Sequence, residues 1–491
     1  MTESEHGKPS RWSLAGWGFL YLAAAAAIQA ATRVPLDFDT AYHVVVARLI
    51  GEHGLLTAFP WTPFSVLGDR YADKELLFHL FLVPFNGLHW VTAAKIVGTL
   101  AGTATLFAIY LVLLTERVRW AGLWPFVVLT ASSVFVQRFA TVRPHVLAIG
   151  IAFVALWGAA RNRLLLLAAI GVVYPWAHVS WHLPVLLAIL AEVARWAAGG
   201  RPGVRPTLAV VAGLIVGFLL HPNTANLAWI NWIHLKEVLA SNVWAQRRGV
   251  ALATEFTPFT PEQALRYATP IVGIAVAGLV LAWRRRRESC VPLAFALGAL
   301  GFGVLTVKSV RFMEWLTPFA VGSLALAMGS QARRWIAPAL LAATVLWTVL
   351  LGLDPLRTFR LRREVFDPEM RAFLDRSIPA GAQVFTCEWD YTGELLLALP
   401  DRRFIVALDP ALFYARSPEL YDLWYRLPRQ APTESARIVR DQFRADFVLC
   451  TGRRWFRFYR AIADEPGADV LLDTPQWTLI DVRSVPTRAP R

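Results

Sequence analysis

Apolar segments of membrane-spanning length alternate with short polar links through most of this chain. Because a helix needs roughly 20 apolar residues to cross a bilayer, the pattern predicts about eleven transmembrane helices. The predicted spans are 13–31, 92–114, 121–136, 144–159, 164–176, 182–197, 207–220, 268–283, 291–306, 312–329 and 335–353. Segment 74–88 is also apolar, but Pro84, Asn86 and Gly87 favour an interfacial helix there.

The pattern changes at about residue 357, where short β-rich runs begin to alternate with helical ones. The predicted strands are 383–387, 404–407, 446–450, 470–472 and 477–482, and the predicted helices include 417–426 and 433–443. Such alternation is typical of an α/β domain. We therefore expect a transmembrane domain at 1–356, with outer loops at 33–91 and 221–266, and a soluble domain at 357–491.

Composition supports a polytopic membrane protein. The 491 residues are 56% hydrophobic and only 17% charged, and the mean hydropathy is +0.45. The net charge of +14 is concentrated in short links between apolar runs, where membrane orientation explains it better than nucleic-acid binding. The three cysteines have no metal-ligand spacing and predict no disulfide framework.

The basic residues also predict the orientation. With a cytoplasmic N-terminus and 74–88 not crossing, the inner links hold Arg117, Arg119, Arg161, Arg163, Arg195, Arg201, Arg205, Arg284 to Arg287, Arg333 and Arg334. The three short outer links hold only Arg138, Arg143, Lys308 and Arg311, in agreement with the positive-inside rule. This topology places Asp37, Asp39, the loop 221–266 and the soluble domain outside the cytoplasm.

Three carboxylates are the candidate catalytic groups. Asp37 and Asp39 flank Phe38 just after the first span, and Glu255 lies in the long outer loop. They would bind a divalent cation such as Mg²⁺ or Mn²⁺, or one would act as a general base. The alternatives are that Asp39 caps the helix beginning at Thr40, and that Asp37 and Glu255 are solvated loop residues.

The basic residues of the short outer links, which depart from the positive-inside rule, are candidate phosphate ligands. Arg311, Lys308 and Arg143 would hold a phosphate group, since a guanidinium fork matches its oxygens. Snorkelling of Arg311 to the headgroups, or its pairing with Glu314, is the alternative. His178 and His182 are spaced like helical zinc ligands, but Pro184 makes a continuous helix there doubtful.

Four motifs resemble the GT-C superfamily of integral-membrane glycosyltransferases, and within it the oligosaccharyltransferase catalytic subunit. Asp37-Phe38-Asp39 with Tyr42 and His43 resembles the family's first-loop Asp-x-Asp motif. Thr254-Glu255 resembles its external-loop glutamate, and Arg311-Phe312 its pyrophosphate-contacting arginine. Glu388-Trp389-Asp390-Tyr391 resembles a degenerate form of its Trp-Trp-Asp-Tyr-Gly box. The motifs occur in the family's order along most of the chain.

The resemblance implies a GT-C fold and sugar transfer on the extracytoplasmic face from a polyprenyl phosphate or pyrophosphate. It implies Asp37, Asp39 and Glu255 as metal-binding or catalytic carboxylates. It also implies acceptor-binding or supporting roles for Tyr42, His43, Trp389, Asp390 and, by similarity to bacterial monosaccharide-transferring relatives, Lys74 and Glu75. Glu388 replaces the first Trp of the box and Thr392 its Gly, and these two departures argue against protein N-glycosylation.

Two other functions remain open from the residues. One is an oligosaccharyltransferase that moves a whole glycan to protein. The other is a transporter or lipid-binding scaffold, although Asp37, Glu255 and Arg311 are predicted at helix ends and not at the bilayer midplane. No nucleotide-binding glycine fingerprint is present, as expected for a lipid-borne donor.

Overall fold

The computed structural model describes residues 11–237, 240, 256–407 and 410–487, which fold mainly as α-helices with one small β-sheet. The described α-helices are α1 (Arg11–Ala30), α2 (Asp39–His53), α3 (Leu76–Leu82), α4 (Trp90–Thr115), α5 (Trp124–Thr130), α6 (Ser133–Ala140), α7 (Pro144–Ala160), α8 (Leu164–Ala177), α9 (Leu183–Ala197), α10 (Arg205–Leu219), α11 (Thr224–Ile233), α12 (Pro261–Tyr267), α13 (Thr269–Arg284), α14 (Val291–Lys308), α15 (Met313–Met328), α16 (Ile336–Leu351), α17 (Asp354–Leu361), α18 (Pro368–Ser377), α19 (Thr392–Ala398), α20 (Pro410–Arg416), α21 (Pro418–Gln430), α22 (Ser435–Phe443) and α23 (Phe456–Ala463). The strands are β1 (Gln383–Thr386), β2 (Arg403–Phe404), β3 (Phe447–Thr451), β4 (Asp469–Asp473) and β5 (Trp477–Asp481).

The helices identify a multi-pass membrane protein. Among the described residues, four helices are long and apolar enough to span a bilayer, and three bent helix pairs raise the number to as many as seven. Each predicted span corresponds to helix, except that 121–136 is divided between α5 and α6. The count of about eleven stays a prediction, because α8 and α16 are shorter than the usual spanning length.

The chain divides into two compact units. The first consists of the described parts of 1–37, 74–221 and 253–363, and contains nearly all of the apolar helices. The second consists of the described parts of 38–73, 222–252 and 364–491. The polypeptide after residue 364 therefore folds together with two earlier segments.

The first unit is centred on α15. In the most apolar 18 residues of Val310–Gln331, 83% of the residues are buried, against 17% in Trp12–Ala30. Small residues allow α8 and α10 to pack closely, because a Cβ atom at Gly213 would lie 2.1 Å from the Ala168 carbonyl oxygen. A side chain there would separate the two helices, as at other small-residue interfaces between membrane helices.

The second unit contains a five-stranded sheet in the order β2-β1-β3-β5-β4. Strand β1 is parallel to β2 and β3, whereas β5 is antiparallel to β3 and β4. Both faces of β1 and nearly all of β3 are buried, as expected for strands covered by helices on both sides. The predicted α/β fold of the tail is therefore confirmed.

Two features complete the second unit. The backbone N–H of Phe404 donates to the carbonyl of Trp61, and α2 approaches α19 so closely that a Cβ at Gly393 would lie 2.8 Å from the Tyr42 nitrogen. Cys387, which directly follows β1, forms a disulfide with Cys450 in β3. The expectation that the cysteines form no disulfide is therefore wrong, because parallel pairing brings together two residues 63 positions apart.

Candidate functional site

A sharp bend between α6 and α7 places two arginines of the first unit. The two helices meet at 115°, and Arg143 is extended because Pro144 follows it and begins α7. The hydroxyl of Thr141 donates to the carbonyl of Arg138 at 2.7 Å and completes the end of α6. Arg138 is thus fixed on the last turn of one helix, and Arg143 at the N-terminus of the next.

The link from α14 to α15 supplies the other charges. Lys308 is the last residue of α14, and Ser309 is extended. Arg311 lies in a short 3₁₀ turn, 310–312, whose Val310 N–H donates to the carbonyl of Thr257 at 2.9 Å. The guanidinium of Arg311 lies 5.0 Å from the ring centroid of Phe256, within cation–π range.

Glu314, in the first turn of α15, is the centre of a buried charge cluster. Its side chain is 1% exposed, and its Oε2 accepts from Nε of Arg138 at 2.8 Å. Nε of Arg311 lies 3.7 Å from Oε1. Nε2 of His145 lies 3.5 Å from Oε2 and 3.1 Å from the carbonyl oxygen of Arg138. Because that carbonyl can only accept, Nε2 carries the hydrogen.

Asp37 extends the charged region of the first unit. It is half-buried in the loop after α1, and its Oδ2 lies 3.9 Å from Nε of Arg143. The predicted catalytic carboxylate and one predicted phosphate ligand are therefore neighbours. The pairing of Arg311 with Glu314, which the sequence left open, is present as well.

His178 lies between α8 and α9 and reports the electrostatics of this region. Burial lowers its pKa to about 4, the Glu75 and Glu314 carboxylates oppose that shift, and Arg311 and Lys74 reinforce it. Its Nδ1 contacts Ser180, and its ring packs edge-on against Trp315. Since α8 ends at Ala177 and α9 begins at Leu183, the continuous helix required for the zinc spacing is absent.

The other predicted residues lie elsewhere or are not described. Asp39 begins α2 in the second unit, and Phe38, not Asp39, is the N-cap residue, so the capping alternative is wrong. Tyr42 and His43 are buried on α2, and Trp389 and Asp390 are half-buried after β1 in the same unit. Glu255 lies outside the described residues.

Sequence reasoning missed the core of the cluster. Arg138, His145 and Glu314 were not among the predicted site residues, although Arg138 was one of the cations that depart from the positive-inside rule. Lys74 and Glu75, just before α3, are near enough to His178 to influence its pKa. Arg138 and His145 are far from Glu314 in the sequence, and only the packing of α6 and α7 against α15 brings the three side chains together.

The arrangement suits anion binding more than cation binding. Among the described residues of the first unit, the guanidinium groups of Arg138, Arg143 and Arg311 lie beside the carboxylates of Glu314 and Asp37, and guanidinium groups are suitable ligands for an oxyanion such as phosphate. Carboxylates are suitable ligands for Mg²⁺ or Mn²⁺. Arg143, however, competes with a metal ion for Asp37.

No protein-family model and no curated protein sequence matches the chain. Solved structures do. ArnT from Cupriavidus metallidurans, bound to undecaprenyl phosphate, is 12% identical with a TM-score of 0.59, over 95% of this chain and 98% of ArnT. The oligosaccharyltransferase AglB from Archaeoglobus fulgidus, in complex with an inhibitory peptide and a dolichol-phosphate, is 13% identical with a TM-score of 0.55, over 92% of this chain and 71% of AglB.

Mycobacterial arabinofuranosyltransferase AftD is 15% identical with a TM-score of 0.55, and the match covers 97% of this chain but only 42% of AftD. All three are GT-C glycosyltransferases. The GT-C fold expected from the sequence motifs is therefore confirmed.

Proposed function

We propose that this protein is a membrane glycosyltransferase that moves a sugar from a polyprenyl-phosphate or -pyrophosphate donor to an extracytoplasmic acceptor. The observation that carries the proposal is the convergence of Arg138 and partly exposed Arg311 on buried Glu314, with Arg143 beside Asp37. A lipid-linked phosphate has the oxyanion chemistry that guanidinium groups bind with paired, charge-assisted hydrogen bonds. The ligands bound to ArnT and AglB, undecaprenyl phosphate and a dolichol-phosphate, have this chemistry.

The chemistry follows from the charges. The acceptor oxygen attacks the anomeric carbon, the bond from that carbon to the phosphate oxygen breaks, and its electron pair leaves with the phosphate. Arg311 and Arg143 stabilise the departing phosphate, with Lys308 as a further cation. A carboxylate, Asp37 or Asp39, takes the acceptor proton. Tyr42, His43, Lys74, Glu75, Trp389 and Asp390 keep the acceptor-binding or supporting roles that we propose for them.

The proposed site includes carboxylates of the kind that bind a divalent cation. Asp37, Asp39 and Glu255 would supply oxygen ligands, and the cation would help neutralise the phosphate. Replacement of Mg²⁺ by Mn²⁺, or removal of both with EDTA, checks the requirement in the transfer assay. Full activity in EDTA would restrict the carboxylates to proton transfer and positioning.

The disulfide supports the proposed location of the tail. Disulfides persist in oxidising compartments and are rare in the cytoplasm. Cys387 and Cys450 are both 3% exposed or less, so they are detected by maleimide only after reduction and unfolding. We expect a single cysteine placed at exposed Arg376 to react with a membrane-impermeant maleimide in intact cells. Reaction only after lysis would contradict the proposed orientation.

The direct test uses full-length protein in nanodiscs with a radiolabelled polyprenyl-phosphate sugar. Wild-type protein should transfer label to an envelope-derived acceptor, and Arg311→Gln should lose most of the activity. The matched control is Arg284→Gln, at the exposed end of α13. No turnover by wild-type protein with any polyprenyl-linked donor, or equal loss in both variants, would refute the proposal.

A further inference from the structure

The strand order of the second unit predicts a crevice at the carboxyl ends of the parallel strands β1 and β3. The chain leaves β1 through α19 toward β2 on one side, and leaves β3 through α23 toward β4 and β5 on the other. Where two neighbouring parallel strands send their connections in opposite directions, the loops separate and leave a space that α/β proteins use for ligands. The strand connections alone therefore identify this edge of the sheet as a candidate ligand site.

The residues that line this crevice are rich in charge and aromatic rings. After β1 come Glu388, Trp389 and Asp390, all half-buried, and after β3 come the exposed Arg453 and Arg454. The disulfide joins the two loops at their base, with 5.3 Å between the Cα atoms of Cys387 and Cys450. The disulfide therefore restricts the relative movement of the two segments that carry these polar groups.

Two guanidinium groups are held against one buried ring. The Arg454 and Arg429 guanidiniums each lie 5.2 Å from the Trp455 ring centroid, and Arg429 also lies 3.6 Å from that of Tyr425. One nitrogen of Arg429 donates to the Tyr425 carbonyl and one of Arg454 to Glu388. These bonds and the ring contacts restrict both side chains, which lowers the entropic cost of binding an oxyanion through their other N–H groups. Exposed Arg457, in the first turn of α23, adds to the positive potential.

Carboxylates lie beside these arginines. Glu388 accepts a hydrogen bond from the Thr451 hydroxyl at 2.9 Å and pairs with Arg454. Burial raises the pKa of Glu388, Asp390 raises it further, and Thr451 and Arg454 oppose the shift. A carboxylate is a strong acceptor for a ligand hydroxyl but repels a dense array of negative charges. The mixed signs disfavour nucleic acid and anionic lipid surfaces.

We propose that this crevice binds a saccharide that carries a carboxylate or phosphate group. Arg429 and Arg454 would bind the oxyanion, Glu388 and Asp390 would accept sugar hydroxyls, and Trp389 would pack against the sugar ring. Trp389 and Asp390 are shared with the acceptor-binding or supporting roles proposed above, but binding of this saccharide requires neither the donor nor the charged residues of the first unit.

The test measures binding of a tri-uronide to the full-length protein in nanodiscs of zwitterionic lipid by calorimetry. The matched ligand is the carboxyl-reduced, neutral form of the same trisaccharide. We expect the neutral form to bind at least tenfold more weakly. Arg429→Gln and Arg454→Gln should each weaken tri-uronide binding about tenfold, the effect of one lost charged hydrogen-bonding partner.

Two controls separate specific loss from misfolding. Arg376→Gln removes an exposed arginine elsewhere in the unit and should leave binding unchanged. Arg429→Gln retains the Glu388–Arg454 pair, so a loss in this variant with an unchanged melting temperature supports the site. Trp389→Ala should weaken both trisaccharides.

Three results would overturn the proposal. They are equal binding of both trisaccharides, displacement by inorganic phosphate with no effect of Trp389→Ala, and arginine-dependent binding to phosphatidylglycerol vesicles without saccharide binding. Failure here is distinguishable from failure of the proposed transferase. If both proposals hold, Arg311→Gln abolishes transfer and leaves tri-uronide affinity unchanged.

Discussion

The cluster around Glu314 and the crevice around Glu388 use the same chemistry, a glutamate paired with arginine, in opposite environments. The side chains of Glu314 and its partner Arg138 are 1% and 10% exposed. Those of Glu388 and Arg454 are 11% and 62% exposed. The attraction between two buried charges is strong because the local dielectric constant is low, so the pair is costly to break. Solvent screens a pair with one exposed partner, so a ligand can take the place of one of its charges more easily. The first arrangement fixes charges for chemistry, and the second suits reversible recognition.

The largest expected difference is in stability. Glu314→Gln leaves Arg138 buried without its anion, so we expect a loss of roughly 3 to 5 kcal/mol in the free energy of unfolding. The matched change Glu388→Gln should cost about 1 kcal/mol or less, because Arg454 remains solvated. Thermal unfolding of both variants in detergent measures the contrast. Similar losses in the two variants would contradict the comparison.

Activity should separate the regions nearly as strongly. Arg311→Gln or Asp37→Asn should lower kcat/KM for sugar transfer by about 100- to 1000-fold, as for loss of a group that stabilises or accepts charge in the transition state. Arg429→Gln should leave transfer to an uncharged acceptor within about twofold of wild type, since exposed changes away from the reacting groups have small effects. A label-transfer assay with single-turnover kinetics measures both.

The disulfide should matter to the second unit only. Cys450→Ser opens a loop of 63 residues, for which chain entropy predicts a loss of about 4 kcal/mol. We expect proteolysis of the tail in this variant to be faster than in wild type, while the apolar helices stay protected in detergent. Cys290→Ser, which removes the free cysteine, is the control and should change neither.

Acid should weaken the first unit through His178. The folded pKa of about 4 lies below the unfolded value of about 6.5, so between them the unfolded state binds more protons. The contribution of neutral His178 is therefore complete above pH 6.5 and is lost as the pH falls through 4, for a total of about 3 kcal/mol. His178→Gln should flatten this part of the curve of melting temperature against pH. An unchanged slope would contradict the assignment.

The sequence by itself determined the class of the protein and much of the secondary structure. Apolar run length predicts helix because every backbone polar group must be satisfied within a bilayer, and most of the predicted spans and tail strands are present. It also identified Asp37, Arg143 and Arg311, since charges at the ends of apolar runs are conspicuous.

Only the tertiary structure decided which charges meet. The sequence predicts Glu314 only as a local partner of Arg311. In the structure it is the centre of the cluster, because the bend at Pro144 and the packing of α15 bring Arg138 and His145 to it. Parallel pairing of β1 with β3 likewise joined Cys387 to Cys450. Local propensity acts over a few residues, whereas these contacts depend on helix and strand packing between distant parts of the chain, which no short sequence pattern records.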